Sequence, residues 1–304
     1  MDTRTEPLWP DLAARVAAAA EAYRACRLCP RDCGVDRSAG PRGAFCRLGA
    51  DAFVYKELLS VGEEAAMCPT MLVDLGGCSL RCLFCSEWDH VVDPQRAPGI
   101  RLDADWFAAR VQRRREQGAR TLTFVGGEPI VNVLAVLNAL AQVAPEDRLP
   151  VVWNTNGQAS DAALDLLDGV VGTWNVDLKF GNPACARRLA GVQGFDALAE
   201  VGRVLRFALR GGPLDATTGL PRAIVRHLVM PGHTVCCTQP ALAWLATTFP
   251  GAQLNLMTGY LPLGPAAGGH LRTGELGRRA SAAEVADAVA ASPGAAWIDG
   301  IPRA

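Results

Sequence analysis

From residue 70 onward, apolar and polar positions alternate between two rhythms. Short apolar runs at 70–75, 121–125, 151–153, 173–178, 224–230 and 254–257 predict strands. Between them, 104–116, 130–143, 161–167 and 239–248 carry apolar residues at helical spacing, and several open after Pro or Asp. Strands alternating with helices imply βα units and a parallel sheet. About six such units predict an α/β fold built on a partial (βα)6, TIM-like barrel rather than the closed eight-unit form. In such sheets the chemistry gathers at the C-terminal ends of the strands. Two segments escape the pattern. Residues 1–67 read as a helix followed by a Cys-rich knot, and 259–277, rich in Gly and Pro, reads as a loop near the open end. The expected organisation is therefore a small N-terminal unit over 1–67 and a barrel with a C-terminal loop and helix over 68–304.

Charge narrows the classes of partner. With 30 Lys and Arg against 31 Asp and Glu in 304 residues, the formal net charge is −1. Such a balance leaves no electrostatic footprint for nucleic acid or an anionic membrane, so neither is expected as a partner. No apolar run approaches the ~20 residues of a membrane span. The first residues carry Asp2, Arg4 and Glu6, and the Ala-rich stretch behind them is broken by Arg15, Glu21 and Arg24. That pattern suits an amphipathic helix and not a signal peptide, so a cytoplasmic protein is expected. Eleven cysteines are then conspicuous, and seven of them fall into two tight clusters. In a reducing compartment, clustered cysteines point to metal or iron–sulfur ligation.

The first cluster follows the first barrel strand directly: Gly76-Gly77-Cys78-Ser79-Leu80-Arg81-Cys82-Leu83-Phe84-Cys85. Three thiolates at C-x3-C-x2-C can hold three irons of a cubane and leave the fourth iron open. A structural zinc site would need a fourth ligand, for which His90 is the near rival. Phe84 suits packing against an adenine ring. This loop resembles the signature of the radical S-adenosylmethionine (SAM) superfamily. The resemblance covers about residues 70–260. It implies a [4Fe-4S] cluster on Cys78, Cys82 and Cys85, one SAM chelated at the open iron, and reductive cleavage to a 5′-deoxyadenosyl radical.

Other strand ends carry supporting residues. Gly126-Gly127-Glu128-Pro129 follows the second strand; its glycines permit close backbone approach to a ligand, and Glu128 suits an ammonium. It looks like the superfamily motif that holds the SAM amino group. Asn154-Thr155-Asn156-Gly157 ends the third strand, and Asp177-Leu178-Lys179 ends the fourth with both charges on one face. Both are similar to stretches of glycyl-radical-enzyme activases that border the SAM site, although those of the pyruvate formate-lyase type carry Asp where this chain has Asn154. In the fifth strand, His227 is a candidate cofactor contact, with Arg226 on the opposite face. Together these stretches resemble the pyruvate formate-lyase activating enzyme-like lineage over nearly the whole chain.

The second cluster, Cys26, Cys29, Cys33 and Cys46, has the spacing C-x2-C-x3-C-x12-C amid Pro and Gly turns. Four cysteines close a tetrahedral zinc site or fully ligate an auxiliary [4Fe-4S] cluster. The C-x2-C-x3-C-Gly run looks like the N-terminal cluster motif of molybdopterin oxidoreductases, which tilts the choice toward iron–sulfur. Cys68, Cys185, Cys236 and Cys237 carry no motif and read as small buried hydrophobes; Cys236-Cys237 is also a conceivable thiyl hydrogen donor.

The expected protein is a radical SAM enzyme acting on a small molecule or peptide. It would draw its electron from a flavodoxin- or ferredoxin-type donor. The alternatives are an activase that installs a glycyl radical on a partner enzyme, and a non-catalytic metal-binding scaffold. No segment suggests cobalamin.

Overall fold

The protein is seen in a computed structural model that describes residues 8–268 and 274–303. Asp2, Arg4 and Glu6, and positions 269–273 of the expected loop, lie outside the described residues.

In chain order the elements are α1 (Leu12–Tyr23), β1 (Phe53–Ser60), β2 (Thr70–Leu75), α2 (Trp88–Val92), β3 (Ile100–Arg101), α3 (Ala104–Glu116), β4 (Thr121–Gly126), α4 (Val133–Ala141) and β5 (Val151–Thr155). There follow α5 (Asp161–Leu167), β6 (Val171–Asp177), α6 (Pro183–Ala190), α7 (Ala197–Leu209), β7 (Ala223–Leu228), α8 (Gln239–Thr248), β8 (Gln253–Met257), α9 (Ala282–Ala290), β9 (Trp297–Ile298) and β10 (Ile301–Pro302). Short polar side chains set the helix starts. Asp103, Ser160, Asn182 and Asp196 each accept a backbone N–H of the first turn, and Ser281 with Glu284 forms a capping box.

Among the described residues, ten strands form one sheet in the order β10-β9-β8-β7-β6-β5-β4-β2-β1-β3. From β2 through β4, β5, β6, β7 and β8 to β9, every neighbouring pair is parallel. The six strands expected from the apolar runs are β2 and β4–β8, and the sheet curves without closing, because β10 and β3 stand as its two edges. The fold is the expected α/β architecture with a mostly parallel sheet.

Two faces divide the work. On the outer face an aromatic row runs Phe107–Phe124–Trp153–Trp174–Phe207, each pair with ring centroids 5.6–6.5 Å apart, which locks α3 and α7 onto β4–β6. The inner face is unusually polar, with Thr70, Thr123, Thr173, Asn175 and Asn255 all buried. Thr70 and Thr123 satisfy each other at 2.7 Å.

The sequence-based division at 67/68 does not coincide with an edge of the sheet. β1 lies within 1–67 and pairs antiparallel with β2, from Ser60↔Thr70 to Val54↔Leu75. Its sequence, FVYKELLS, is mostly half-buried at the sheet's side and has too little apolar contrast to announce a strand. Helix α1 packs on α4, and Tyr23 Oη donates to the Val131 carbonyl at 3.0 Å. The helices α6 and α7 have no counterpart among the segments at helical spacing.

Candidate active site

The loop after β2 brings Cys78, Cys82 and Cys85 to the C-terminal rim of the sheet. Its backbone is stapled to the end of α6: Arg81 N–H donates to Ala190 O at 3.0 Å and Leu83 N–H to Leu189 O at 2.8 Å. All three cysteines line one cavity of about 290 Å³, together with Phe84, Gly126, Gly127, Asn154, Asn156, Asp177, Lys179, Arg226 and Met257. Its walls therefore come from the ends of β2, β4, β5, β6, β7 and β8. Phe84 is held edge-on by Phe180 at 6.3 Å and faces Tyr260 at 6.4 Å. His90, the rival fourth ligand, is committed elsewhere: its ring stacks on Tyr55 at 3.9 Å, and Nε2 sits 3.1 Å from Pro98 O.

The donor set fits a cluster. Burial pushes the Cys82 thiol up to about 12, although the Lys179 charge pulls it back, and burial likewise raises Cys78 and Cys85. Such thiols ionise when a bound metal supplies positive charge, because binding releases their protons. Asn156 Nδ2 points at the Cys78 sulfur at 3.5 Å and donates to Ser79 Oγ at 3.1 Å. Lys179 Nζ pairs with Asp177 Oδ2 at 2.5 Å, both facing the cavity. Burial lowers the Lys179 pKa, but the Asp177 carboxylate outweighs it and keeps the ammonium charged. Aromatic, amide, carboxylate and ammonium groups around three thiols suit a zwitterionic nucleoside beside an iron–sulfur cluster.

The glycines also have a packing role. A Cβ on Gly126 (φ +103°) would stand 2.4 Å from Leu75 N, and one on Gly127 would stand 2.1 Å from Gly77 O. Their bareness lets the β4 loop press against the cysteine loop, and only the exposed side of their backbone meets the cavity.

Two expected cofactor contacts stand apart from the cavity lining. Glu128 does not line the cavity. Its buried carboxylate accepts from Ile130 N–H at 3.0 Å, Thr155 Oγ1 at 2.8 Å and Asn156 N–H at 2.8 Å. It is a positioning residue that ties the β4 loop to the β5 end, and burial pushes its pKa up to about 7. Glu128→Ala is expected to lower unfolding free energy by about 1–3 kcal/mol, because two buried N–H groups lose their acceptor; anaerobic urea denaturation reads this. His227 is a neutral core residue, with Nδ1 2.6 Å from Leu178 O, Nε2 3.0 Å from Thr238 Oγ1, and a pKa pushed down to about 4 by burial. Its neighbour Arg226 faces the cavity instead, as strand alternation requires.

The model of the radical SAM superfamily matches residues 72–244, more than half of the chain. This chain belongs to the radical SAM superfamily. Membership implies SAM cleavage with an iron–sulfur cluster. An uncharacterized protein of Methanocaldococcus jannaschii is 30% identical over 252 residues, which span 82% of this chain and 69% of that one. Structures of SuiB from Streptococcus suis align as well. The complex with the precursor peptide SuiA has a TM-score of 0.42 and 15% identity, and covers 60% of this chain and 38% of SuiB. The complex with S-adenosylmethionine has a TM-score of 0.40 and 17% identity over 60% and 40%. The chain thus spans about two fifths of the length of those solved proteins.

This radical SAM chain also carries features that the sequence did not announce. Arg226 reaches from the cavity to Glu63 and Glu64, which plug the opposite end of the barrel; its guanidinium bonds Glu64 Oε1 at 2.8 Å and Glu64 Oε2 at 2.7 Å, and also Glu63. Asn255 Nδ2 adds a bond to Glu64 at 2.7 Å. Two adjacent glutamates in a loop read as solvated charge, and no local signal marks their partner.

The N-terminal knot docks on the same cysteine loop. Cys26, Cys29, Cys33 and Cys46 line one small enclosed cavity with Arg31, Arg37, Phe45 and Ser79. Buried Arg37 donates to Leu48 O, Gly49 O and Val131 O at 2.7–2.9 Å and points at the Cys26 sulfur at 3.7 Å. Arg31 donates to Ser79 O at 2.7 Å, and the Arg31 and Arg81 guanidiniums lie over the Phe45 ring at 3.8 and 4.3 Å. No helix among the described residues is long and apolar enough to cross a membrane.

Proposed function

We propose that this chain is a catalytic radical SAM enzyme that abstracts hydrogen from a small molecule or a peptide. The observation that carries the reading is the single cavity in which three motif cysteines meet polar residues from six strand ends. Cys78, Cys82 and Cys85 hold the [4Fe-4S] cluster. Asn154, Asn156, Asp177 and Lys179 bind the polar parts of SAM, the backbone at Gly126-Gly127 meets its amino group, and Phe84 packs on its adenine. When bound, cluster and SAM together supply one-electron cleavage and a strong hydrogen abstractor. The protein's part is to orient the nucleoside, exclude water behind the Phe84–Phe180–Tyr260 wall, and keep the Asp177–Lys179 pair fixed. Substrate enters by the open side of the cavity near Ser86 and Glu87.

Within the superfamily we assign the chain to the pyruvate formate-lyase activating enzyme-like lineage on its T-N-G and D-x-K stretches. Asn154, standing in the cavity where such activases carry Asp, separates it from activases of glycyl radical enzymes. The electron comes from a flavodoxin- or ferredoxin-type donor. We further propose an auxiliary [4Fe-4S] cluster at Cys26, Cys29, Cys33 and Cys46, placed to relay that electron. Among the described residues, no three of those sulfurs lie within 4.8 Å of one another, whereas a tetrahedral zinc with ~2.3 Å bonds draws its sulfurs to roughly 3.8 Å. Cluster ligands bind different irons and so stand wider apart. A Cys26/Cys29/Cys33 triple Ala variant is expected to lose roughly half of the chain's iron; loss of zinc with unchanged iron would refute the relay.

The test of the main reading is anaerobic. Reconstituted protein with SAM and dithionite should form 5′-deoxyadenosine. Absence of product from protein with confirmed cluster and bound SAM, with cell-extract metabolites and peptides added, would sink the reading. A glycyl radical signal in a co-expressed partner would move it to the activase alternative.

A further inference from the structure

Outside both cysteine clusters, three side chains that share no sequence motif converge. Cys185 Sγ lies 3.4 Å from His233 Nδ1, Cys236 Sγ lies 3.4 Å from the same nitrogen, and the two sulfurs are 3.8 Å apart. Zinc at ~2.3 Å from sulfur and ~2.0 Å from nitrogen, in tetrahedral geometry, sets its ligands roughly 3.8 Å apart for S–S and roughly 3.5 Å apart for S–N. Among the described residues this is the one group of three ligating side chains so tightly gathered. We propose that Cys185, His233 and Cys236 form a mononuclear zinc site whose fourth position opens toward solvent beside exposed Cys236.

The surroundings are those of a metal ligand set. His233 turns Nδ1 to the sulfurs and Nε2 to Glu275 Oε1 at 3.5 Å, so a carboxylate stands ready to accept the ring's remaining N–H. Arg188 holds that carboxylate at 2.6 Å and lies 3.2 Å from the same ring nitrogen. In the zinc form the Nε2 proton is donated to Glu275, and Arg188 pairs with the carboxylate alone. Asn182 Nδ2 donates to the Cys185 sulfur at 3.2 Å and also binds Cys236 O. A π-helical turn over Thr234–Thr238 brings Cys236 back over His233. Cys237 is turned away, its sulfur accepting Gly181 N–H at 2.9 Å. A disulfide between Cys185 and Cys236 would need sulfurs at ~2.05 Å and would leave the imidazole without a purpose.

The position gives the metal a task. Cys185 sits in the first turn of α6, whose last carbonyls staple the Cys78–Cys85 loop, while His233 and Cys236 belong to the turn after β7. Zinc would pin α6 to β7 and thereby fix the loop that lines the cavity.

Zinc is the probe. Anaerobically reconstituted full chain, stripped with a chelator and re-equilibrated with Zn²⁺, is expected to retain about one zinc. Its zinc-edge X-ray absorption should report two sulfurs and one imidazole. Cys185→Ser/Cys236→Ser should lose that zinc with iron content unchanged. Glu275→Gln, at a half-exposed position that leaves the fold alone, should weaken zinc binding by roughly 10–100-fold in chelator competition. Four-sulfur ligation, zinc retained by the double variant, no zinc uptake at micromolar Zn²⁺, or a Cys185–Cys236 disulfide in the anaerobic protein would each overturn the proposal.

Discussion

Cys82→Ala is expected to bring 5′-deoxyadenosine formation down to the level of an enzyme-free control while the protein stays folded. The reason for the split lies in how the loop is held. Arg81 and Leu83 are hydrogen-bonded to Ala190 and Leu189 at the end of α6, and Arg81 also donates to its own loop at Cys78 O and Leu80 O at 2.9 and 2.7 Å. None of these bonds uses the Cys82 side chain. The loop should therefore keep its path when the thiol is removed, and a buried Cys-to-Ala change removes little volume. What is lost is a ligand: two thiolates do not hold a cubane that three can. Iron per chain, near-ultraviolet absorption and nucleoside product are measured on one anaerobic preparation, with thermal unfolding as the control for folding. Full iron together with continued product formation in the variant would remove Cys82 from the cluster.

Arg226→Leu is expected to be the most destabilising single change in the barrel, at about 3–5 kcal/mol, because it leaves buried Glu64 and largely buried Glu63 without their cation. Glu64 is fully buried, and Arg226 is almost so. Adding Glu64→Leu to the variant should recover a large part of the loss, since exchanging a whole buried pair for apolar groups is far milder than breaking it. The pH dependence has a definite sign. Burial raises the Glu64 pKa, but the hydrogen bonds and charge of Arg226, with Asn255, outweigh it and hold the carboxyl below its usual range. The pair's contribution is thus present above the ordinary carboxylate pKa and fades as pH falls through the depressed one. In denaturant titrations, the wild type should lose this stability on acidification and Arg226→Leu/Glu64→Leu should not. A single variant within about 0.5 kcal/mol of wild type would show that the plug holds no energy.

The two cysteine spacings, the strand–helix rhythm and the polar strand ends were legible because each is a property of a few consecutive residues. Three thiols within eight positions after a strand meet on one loop whatever the rest of the chain does. Six apolar runs separated by helices leave few topologies besides a parallel sheet. The same local logic stated that Arg226 and His227 oppose each other, but not which one faces inward. Registry against β6 and β8 decided that, placing Arg226 over the Glu63–Glu64 plug and His227 against Leu178 and Thr238. Glu128 shows the same limit: whether a carboxylate meets a ligand or two backbone N–H groups depends on how closely the β4 and β5 ends approach. The gathering of Cys185 with His233 and Cys236 spans residues some fifty positions apart. Such meetings are set by crossover lengths and strand order, which no local pattern encodes. The sequence by itself determined the chemistry's raw material and the class of fold; the tertiary structure alone decided which charges were buried together and which side chains faced the cavity, because partners distant along the chain are chosen by packing.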